Sequence, residues 1–332
     1  MNRLIQDLQD PAYLPDRTDR VEVVQTHISI VFVADAFVYK IKKPVDFGFL
    51  DFSTLEKRKH YCHQEIKLNS RLSTGIYLEV LPVRFTGTHY SLIGRTGDVV
   101  EYAVKMKRIE PEVLMKSMFE RGEINENHLR EVAHILADFH RNAQRNDHID
   151  KFGEPESFQV NTDENFEQVE KYIGTTIDSG AFEDLRVWTE HFYDEHRDLF
   201  VERINQKKIR DCHGDLHMEH VCFTEPPAII DCIEFNDRFR YSDALADIAF
   251  LLMDLEYHGG TTLAQILWKH YKAESGDRQV ENLLTFYKVY RAFVRGKVTG
   301  FQIDDENIAQ DMKEEAIKTA SNYFRLAHSY IT

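Results

Sequence analysis

The chain has 332 residues, 56 acidic against 41 basic, for a formal charge of −15, with 42% hydrophobic and 29% charged residues. This is the composition of an ordinary globular chain, long enough to bury a large core in one or two domains. The deficit of Lys and Arg excludes a general affinity for DNA or RNA, which surplus positive charge drives. Four cysteines, Cys62, Cys212, Cys222 and Cys232, are too few and too irregularly spaced for a disulfide-stapled secreted domain. The opening MNRLIQDLQDPAYL has no basic stretch followed by an apolar core, and no apolar run reaches the ~18 residues of a spanning helix. A cytoplasmic protein without membrane contact is expected.

Residues 1–20 are polar and predict a short helix ahead of the fold proper. From Val21 the run VEVVQTHISIVFVADAFVYKIKK is rich in β-branched and aromatic residues and predicts two or three antiparallel strands, with a hairpin turn at Ala34-Asp35-Ala36. Lys40 and Lys42 alternate on the last strand and share a face; by themselves they read as solvated lysines of an edge strand. A helix follows from about Thr54 to Arg71, with Ser53 and Glu56 spaced as a capping box and Leu55, Cys62, Ile66 and Leu72 as its buried stripe. Glu65 lies next to that stripe. Val80–Val83 and Asp98–Arg108 read as two more strands, separated by turns at Gly87, Gly94 and Gly97. Together these elements predict a five-stranded antiparallel lobe carrying one helix, followed by a hinge at Lys107–Pro111.

Asn125–Arg145 has a helical pattern, with Leu129, Val132, Ile135, Leu136 and Phe139 on one face. Residues 150–206 hold fifteen Asp and Glu against five Lys and Arg, on two helices broken near Ser179-Gly180. They form either solvated helix faces or an acidic wall for a cationic ligand. Next comes RDCHGDLHMEHVCFTEPPAIIDCIEF, residues 210–235. Here Ile209–Cys212, Val221–Phe223 and Ala228–Ile233 read as short strands, His213–His220 as a polar loop and Glu225-Pro226-Pro227 as a turn. The remainder is helical, over Tyr241–Tyr257, Thr262–Ala273, Arg278–Thr299 and Asp304–Ile331.

This central stretch sets Asp215 and Asp231 at neighbouring strand ends, a layout suited to phosphoryl transfer. One carboxylate orients an acceptor hydroxyl and takes its proton, and the other holds a hard cation that neutralises phosphate charge. HGDLH, a strand ending in IID and the later SDALADIAFLLMDLE together resemble the aminoglycoside phosphotransferase and choline kinase-like family. The longer run from VYKIKKPVDFGFLDF onward is similar to an uncharacterised bacterial branch of it, in which the kinase-like part is often followed by a P-loop ATPase half. The resemblance implies a protein-kinase-like bilobal α+β fold, with a small antiparallel β lobe over residues 1–108 and a larger, mostly helical lobe over 109–332. It also implies transfer of the terminal phosphate of ATP or GTP, with Mg2+ or Mn2+, to a hydroxyl of a small molecule that related enzymes often choose cationic.

Carried over by residue, the resemblance makes Asp215 the catalytic base, with His213 and His217 beside it in the loop. Lys40 and Lys42 become nucleotide-binding lysines, Glu65 their helix partner and Ser29 a phosphate contact. Asp231 becomes the metal ligand with Glu234 near it, and Asp247 the acceptor of the loop's backbone N–H groups. Two positions depart from the family. His220 stands where an asparagine usually completes the metal site, and the phosphate-covering segment Gln25–Ser29 lacks glycine, leaving the hydroxyls of Thr26 and Ser29 to stand in. Both departures support an alternative, a pseudokinase-like nucleotide-binding or regulatory module. A zinc site built from Cys212, His213, His217, His220 and Cys222 has suitable ligand types but no common zinc spacing. RGKVTG at Arg295–Gly300 lacks the upstream glycine and strand of a P-loop. Any ATPase half is therefore expected to be a separate protein.

Overall fold

The β-branched run after Val21 forms three strands, β1 (Glu22–Gln25), β2 (Ser29–Val33) and β3 (Phe37–Lys42). The second hairpin turns at Ala34–Ala36, closed by Ala34 N–H donating to Phe37 O at 2.9 Å. The computed structural model describes residues 1–305 and 308–332. The chain divides into two units, Met1–Gly122 with Glu219–Asp237, and Glu123–Met218 with Arg238–Thr332.

In the first unit β4 (Tyr77–Phe85), β5 (Tyr90–Ser91) and β6 (Asp98–Lys107) extend the sheet to six antiparallel strands in the order β1-β2-β3-β6-β4-β5. The sequence predicts five. The sixth, β5, has two residues and no periodicity to betray it. β4 starts three residues earlier than predicted, because a register shift between Tyr77 and Glu79 breaks the period-two pattern there. One face of the sheet packs Ile30, Phe32, Tyr39, Ile41, Val83 and Ala103 with Leu4 and Leu8 of helix α1 (Asn2–Leu8). The other carries α2 (Leu55–Asn69) through Cys62, Ile76, Tyr77 and Val104. Lys40 pairs with Val104 in register, so both lysines of β3 lie on the α2 side.

The N-cap of α2 is Thr54, whose hydroxyl accepts from Lys57 N–H; Ser53 instead donates to Asp51 Oδ1 at 2.6 Å. The buried face of α2 is not the apolar stripe predicted. It consists of Arg58, Cys62, Glu65, Leu68 and Asn69, three of them polar. Helix α3 (Met115–Glu120) and a small hairpin of β8 (Val221–Cys222) and β9 (Ala228–Ile229) complete the unit. β9 stops well short of the predicted Ile233, because Asp231 adopts φ +61°, outside any strand conformation.

The second unit is helical. It comprises α4 (Glu126–Asn142), the single turn α5 (Asp147–Asp150), α6 (Pro155–Val169), α7 (Ser179–Glu195), α8 (Arg197–Asn205), α10 (Ala244–Tyr257), α11 (Thr261–Ser275), α12 (Glu281–Gly300) and α13 (Gln310–Ser329). Asn125 caps α4 and Asp178 caps α7 with side-chain oxygens. β7 (Ile209–Asp211) pairs antiparallel with β10 (Tyr241–Asp243), just after the turn α9 (Asp237–Arg240). Tyr241–Asp243 is thus strand where helix is predicted. The helix predicted over Asp304–Ile331 includes residues 306 and 307, which lie outside the described residues, and α13 begins at Gln310.

Every residue of α10 from Ala244 to Leu255 is buried, which makes it the central helix of this unit. Around it α7, α12 and α13 pack Leu185, Phe250, Met253, Phe293, Tyr323 and Phe324. RGKVTG lies inside α12. A Cβ on Gly296 would stand 2.8 Å from the Phe324 ring, so the missing side chain is what lets α12 and α13 approach so closely. Among the described residues no helix is long and apolar enough to cross a membrane.

Candidate functional site

In the first unit α2 and β3 build a buried charge cluster. Glu65, fully buried, divides its carboxylate between two lysines: Oε1 lies 2.9 Å from Lys40 Nζ and Oε2 accepts from Lys42 Nζ at 2.6 Å. The Lys40 contact is an ion pair without hydrogen-bond alignment. Lys42, 1% exposed, also donates to Glu234 and lies 4.8 Å over the Phe52 ring. Lys40 donates to Asp231 Oδ1 at 2.9 Å. Burial pulls both lysines down, but Asp231 and Glu65 around Lys40, and Glu234 and Glu65 around Lys42, more than offset it and leave both raised. The carboxylates diverge. Burial pushes Glu65 up, yet two lysines bring it below its ordinary value; burial keeps Glu234, bonded to one lysine, above.

Asp231 joins this cluster on a left-handed backbone. Its N–H donates to the Tyr77 hydroxyl at 3.1 Å, Ile230 N–H to His220 O at 2.9 Å and Cys232 N–H to Asn69 Oδ1 at 2.9 Å. An aspartate at φ +61° is a conformation that surrounding structure has to hold, and three elements hold it here. Its side chain is 46% exposed, with His220 Nε2 at 3.7 Å from Oδ2. Such a carboxylate suits a divalent cation, being a hard oxygen donor within reach of solvent. Glu234 is buried against Lys42, where it serves first as that lysine's counter-ion. Tyr77 and Asn69 were not singled out from the sequence; the one available signal was an Asn four residues after Glu65 on the same helix face, donating to Glu65 O at 2.9 Å.

In the second unit the loop after β7 carries Asp215. Fully buried Asp247, near the start of α10, accepts His213 N–H at 2.6 Å and Gly214 N–H at 2.9 Å. Arg291 of α12 donates to Gly214 O at 2.8 Å, and Met218 N–H to Asp254 Oδ2 at 2.9 Å. The loop is thus fastened on both sides of Asp215, whose side chain is 37% exposed. Asp215 N–H donates to His213 Nδ1 at 3.3 Å, and His217 Nε2 lies 3.6 Å from Asp215 Oδ2. Burial works against the charged form of His217, but the Asp215 carboxylate leaves it raised above its ordinary value.

Residues 52–283 match the model of the phosphotransferase enzyme family. The chain belongs to that family. The uncharacterized protein Rv2004c of Mycobacterium tuberculosis is 34% identical over 279 residues, which are 84% of this chain and 54% of that protein. This chain therefore spans about half the length of the curated relatives it matches. A choline/ethanolamine kinase family protein from Mesorhizobium loti superposes with a TM-score of 0.55 at 13% identity, over 99% of both chains. Amicoumacin kinase hAmiN, solved with AMP-PNP and Ca2+, gives 0.52 at 10% identity, over 92% of this chain and 88% of its own. At these identities the structures show the fold, which is that of the kinase-like phosphotransferases, as the sequence implies.

On the sheet Ser29 faces Lys42 across the β2–β3 pair, 1% exposed, and its hydroxyl has no partner among the described residues. Thr26 is occupied in the turn, accepting Ser29 N–H at 3.0 Å. The acidic residues of 150–206 include solvent-facing Asp194, Glu195 and Asp198, and surface pairs such as Arg186 with Glu183 and Glu190. Cys212 and Cys222 are buried free thiols, and burial pushes the first up and the second up to about 12.

Asp247 supplies a pH prediction. Burial raises its carboxyl, but the bond and charge of His140, with His213 and Arg291, bring it to about 2 from 3.8. A folded-state value below the unfolded one contributes stability that is complete above the unfolded value and lost as pH falls through the folded one. Between about pH 4 and 2 the wild type should lose about 2 kcal/mol that Asp247→Asn does not, read from urea midpoints. Parallel curves for the two proteins would show that the carboxylate contributes nothing.

Proposed function

We propose that this protein transfers the terminal phosphate of ATP or GTP to a hydroxyl group of a small molecule. The observation that carries the proposal is the buried Glu65 holding Lys40 and Lys42 beside Asp231. Glu65 fixes the Lys40 head in space beside Asp231, so it can meet phosphate oxygens without reorganising. Lys42 and Ser29, each 1% exposed, are enclosed, and Lys42 would act only through Glu65 and Glu234. Asp231, with His220 beside it, would hold a divalent cation, Mg2+ or Mn2+, and Glu234 would support it through Lys42. When bound, such an ion neutralises phosphate charge. AMP-PNP and Ca2+ in the amicoumacin kinase support a nucleotide with a divalent ion. Residues 1–108, with His220, Asp231 and Glu234, would serve the nucleotide and the rest of 109–332 the acceptor, in the cytoplasm, where nucleoside triphosphates are made.

In the acceptor part Asp215 orients the hydroxyl and accepts its proton as the bond to phosphorus forms. His213 and His217 position that carboxylate, one through the Asp215 backbone and one through its side chain. His220 beside Asp231, in place of an oxygen donor, favours a second reading as a pseudokinase that binds nucleotide without efficient turnover.

Nucleotide binding is tested by melting with ATP and GTP, each with Mg2+ and with Mn2+. A ligand at a hundredfold excess over its dissociation constant adds about 2.7 kcal/mol. A rise in melting temperature is expected for the wild type and a smaller one for Asp231→Ala. No shift with any combination would remove the nucleotide from the proposal.

A further inference from the structure

On α12, Arg291 and Arg295 are four residues apart and share a face. Arg291 is fully engaged: it donates to Gly214 O at 2.8 Å and to Ala246 O at 3.2 Å, and its guanidinium lies 4.9 Å over the Phe250 ring. That face therefore abuts the loop bearing Asp215. One turn further on, the Arg295 guanidinium lies 5.5 Å over the Tyr323 ring. Its Nε is buried and has no hydrogen-bond partner, and no carboxylate lies within the 4 Å of an ion pair among the described residues. The fields of Asp215 and Asp254 reach it, and its own charge works against protonation of His217.

The buried arginines of this unit differ from half-buried Arg295. Arg203 is held by Asp243 and Asp277, and Arg240 by Asp211. A guanidinium with no bonded anion keeps its planar fork free to match a carboxylate or phosphate in two parallel bonds. Lys297, two residues on and on another face of α12, is bonded to amides, Asn165 and Gln168. α12 thus carries positive charge on the helix that fastens the Asp215 loop, whereas the acidic residues Asp194, Glu195 and Asp198 face solvent.

We infer that Arg295 binds an anionic group of the acceptor, so that the substrates are hydroxylated carboxylates or phosphate esters rather than cationic compounds. The inference rests on the phosphotransferase reading and names the substrate class of that same site. Arg295 fixes the acceptor's anion on one side, and Asp215 receives the hydroxyl presented beside it.

The test is calorimetric titration of the full chain without nucleotide, using gluconate, glycerate, glycerol 3-phosphate and ribose 5-phosphate against neutral glucose and cationic choline. At least one anionic compound should bind, and whether it is a carboxylate or a phosphate ester identifies the group. Arg295→Gln should weaken that binding by roughly 10- to 100-fold, with Arg295→Lys in between. Binding of the anions no tighter than that of glucose would overturn the inference. So would Arg295→Gln binding the anions as tightly as wild type, which would leave the guanidinium only a packing partner of Tyr323. Because nucleotide is absent, failure here leaves the melting test at Asp231 standing, and failure there leaves this one readable.

Discussion

Asp215→Asn should lower turnover with the true acceptor by roughly 10^2- to 10^4-fold, the range for loss of a positioned general base, and leave nucleotide affinity unchanged. The loop geometry makes the substitution clean. His213 and Gly214 N–H are held by Asp247, and Gly214 O by Arg291, so the backbone around residue 215 does not depend on its own carboxylate. Asn is also nearly isosteric, so binding and chemistry should separate at this one position. Single-turnover measurements with nucleotide titrations in parallel provide the check. A pseudokinase gives a different pair of results: no acceptor-dependent loss of ATP or GTP in the wild type, and no measurable change in Asp215→Asn. His220→Asn is the companion variant. It restores the oxygen donor usual in the family and should strengthen nucleotide binding with Mg2+ if the imidazole limits the site.

The largest effect on stability is expected at Lys42. Its head sits between Glu65 and Glu234 with 1% of the residue exposed, so Lys42→Ala strands Glu234 in the interior and leaves Glu65 to Lys40 alone. Breaking one partner out of a buried ion cluster costs about 3–5 kcal/mol. The pH dependence has a definite sign. Burial already holds Glu234 above its ordinary value, and without Lys42 it should rise further. A carboxyl whose folded-state value is raised stabilises the fold below that value, and the contribution is lost as pH rises through it. Lys42→Ala should therefore be more stable near about pH 5 than near about pH 7.5, and adding Glu234→Gln should recover part of the loss at the higher pH. Equal urea midpoints for Lys42→Ala and wild type would show that the cluster contributes nothing to folding.

The local pattern determined several features without help from the fold. The alternation after Val21 defined β2, β3 and their turn at Ala34–Ala36. HGDLH and IID marked the loop and the strand end that carry Asp215 and Asp231. The family resemblance, carried by SDALADIAFLLMDLE, made Asp247 an acceptor for the loop, and the structure puts two backbone N–H groups on it. These features rest on near neighbours in the chain or on a motif whose spacing is itself the information.

Tertiary structure decided the rest, because partners distant in sequence leave no periodic trace. By local pattern Glu65 was only a glutamate beside an apolar stripe, and the resemblance alone gave it a lysine partner. In the structure α2 turns a polar face inward, and two lysines 23 and 25 residues earlier on the neighbouring strand offset that burial. Lys42 acquires its second carboxylate from Glu234, 192 residues away. The left-handed backbone of Asp231 comes from Tyr77 and Asn69, which no local rule connects to it. Arg295 was visible only as part of RGKVTG, a failed phosphate-loop pattern. The close approach of α12 and α13 at Gly296 sets it over Tyr323 near Asp215. A charge's meaning depends on what stands opposite it, and only the packing of helices and strands determines that.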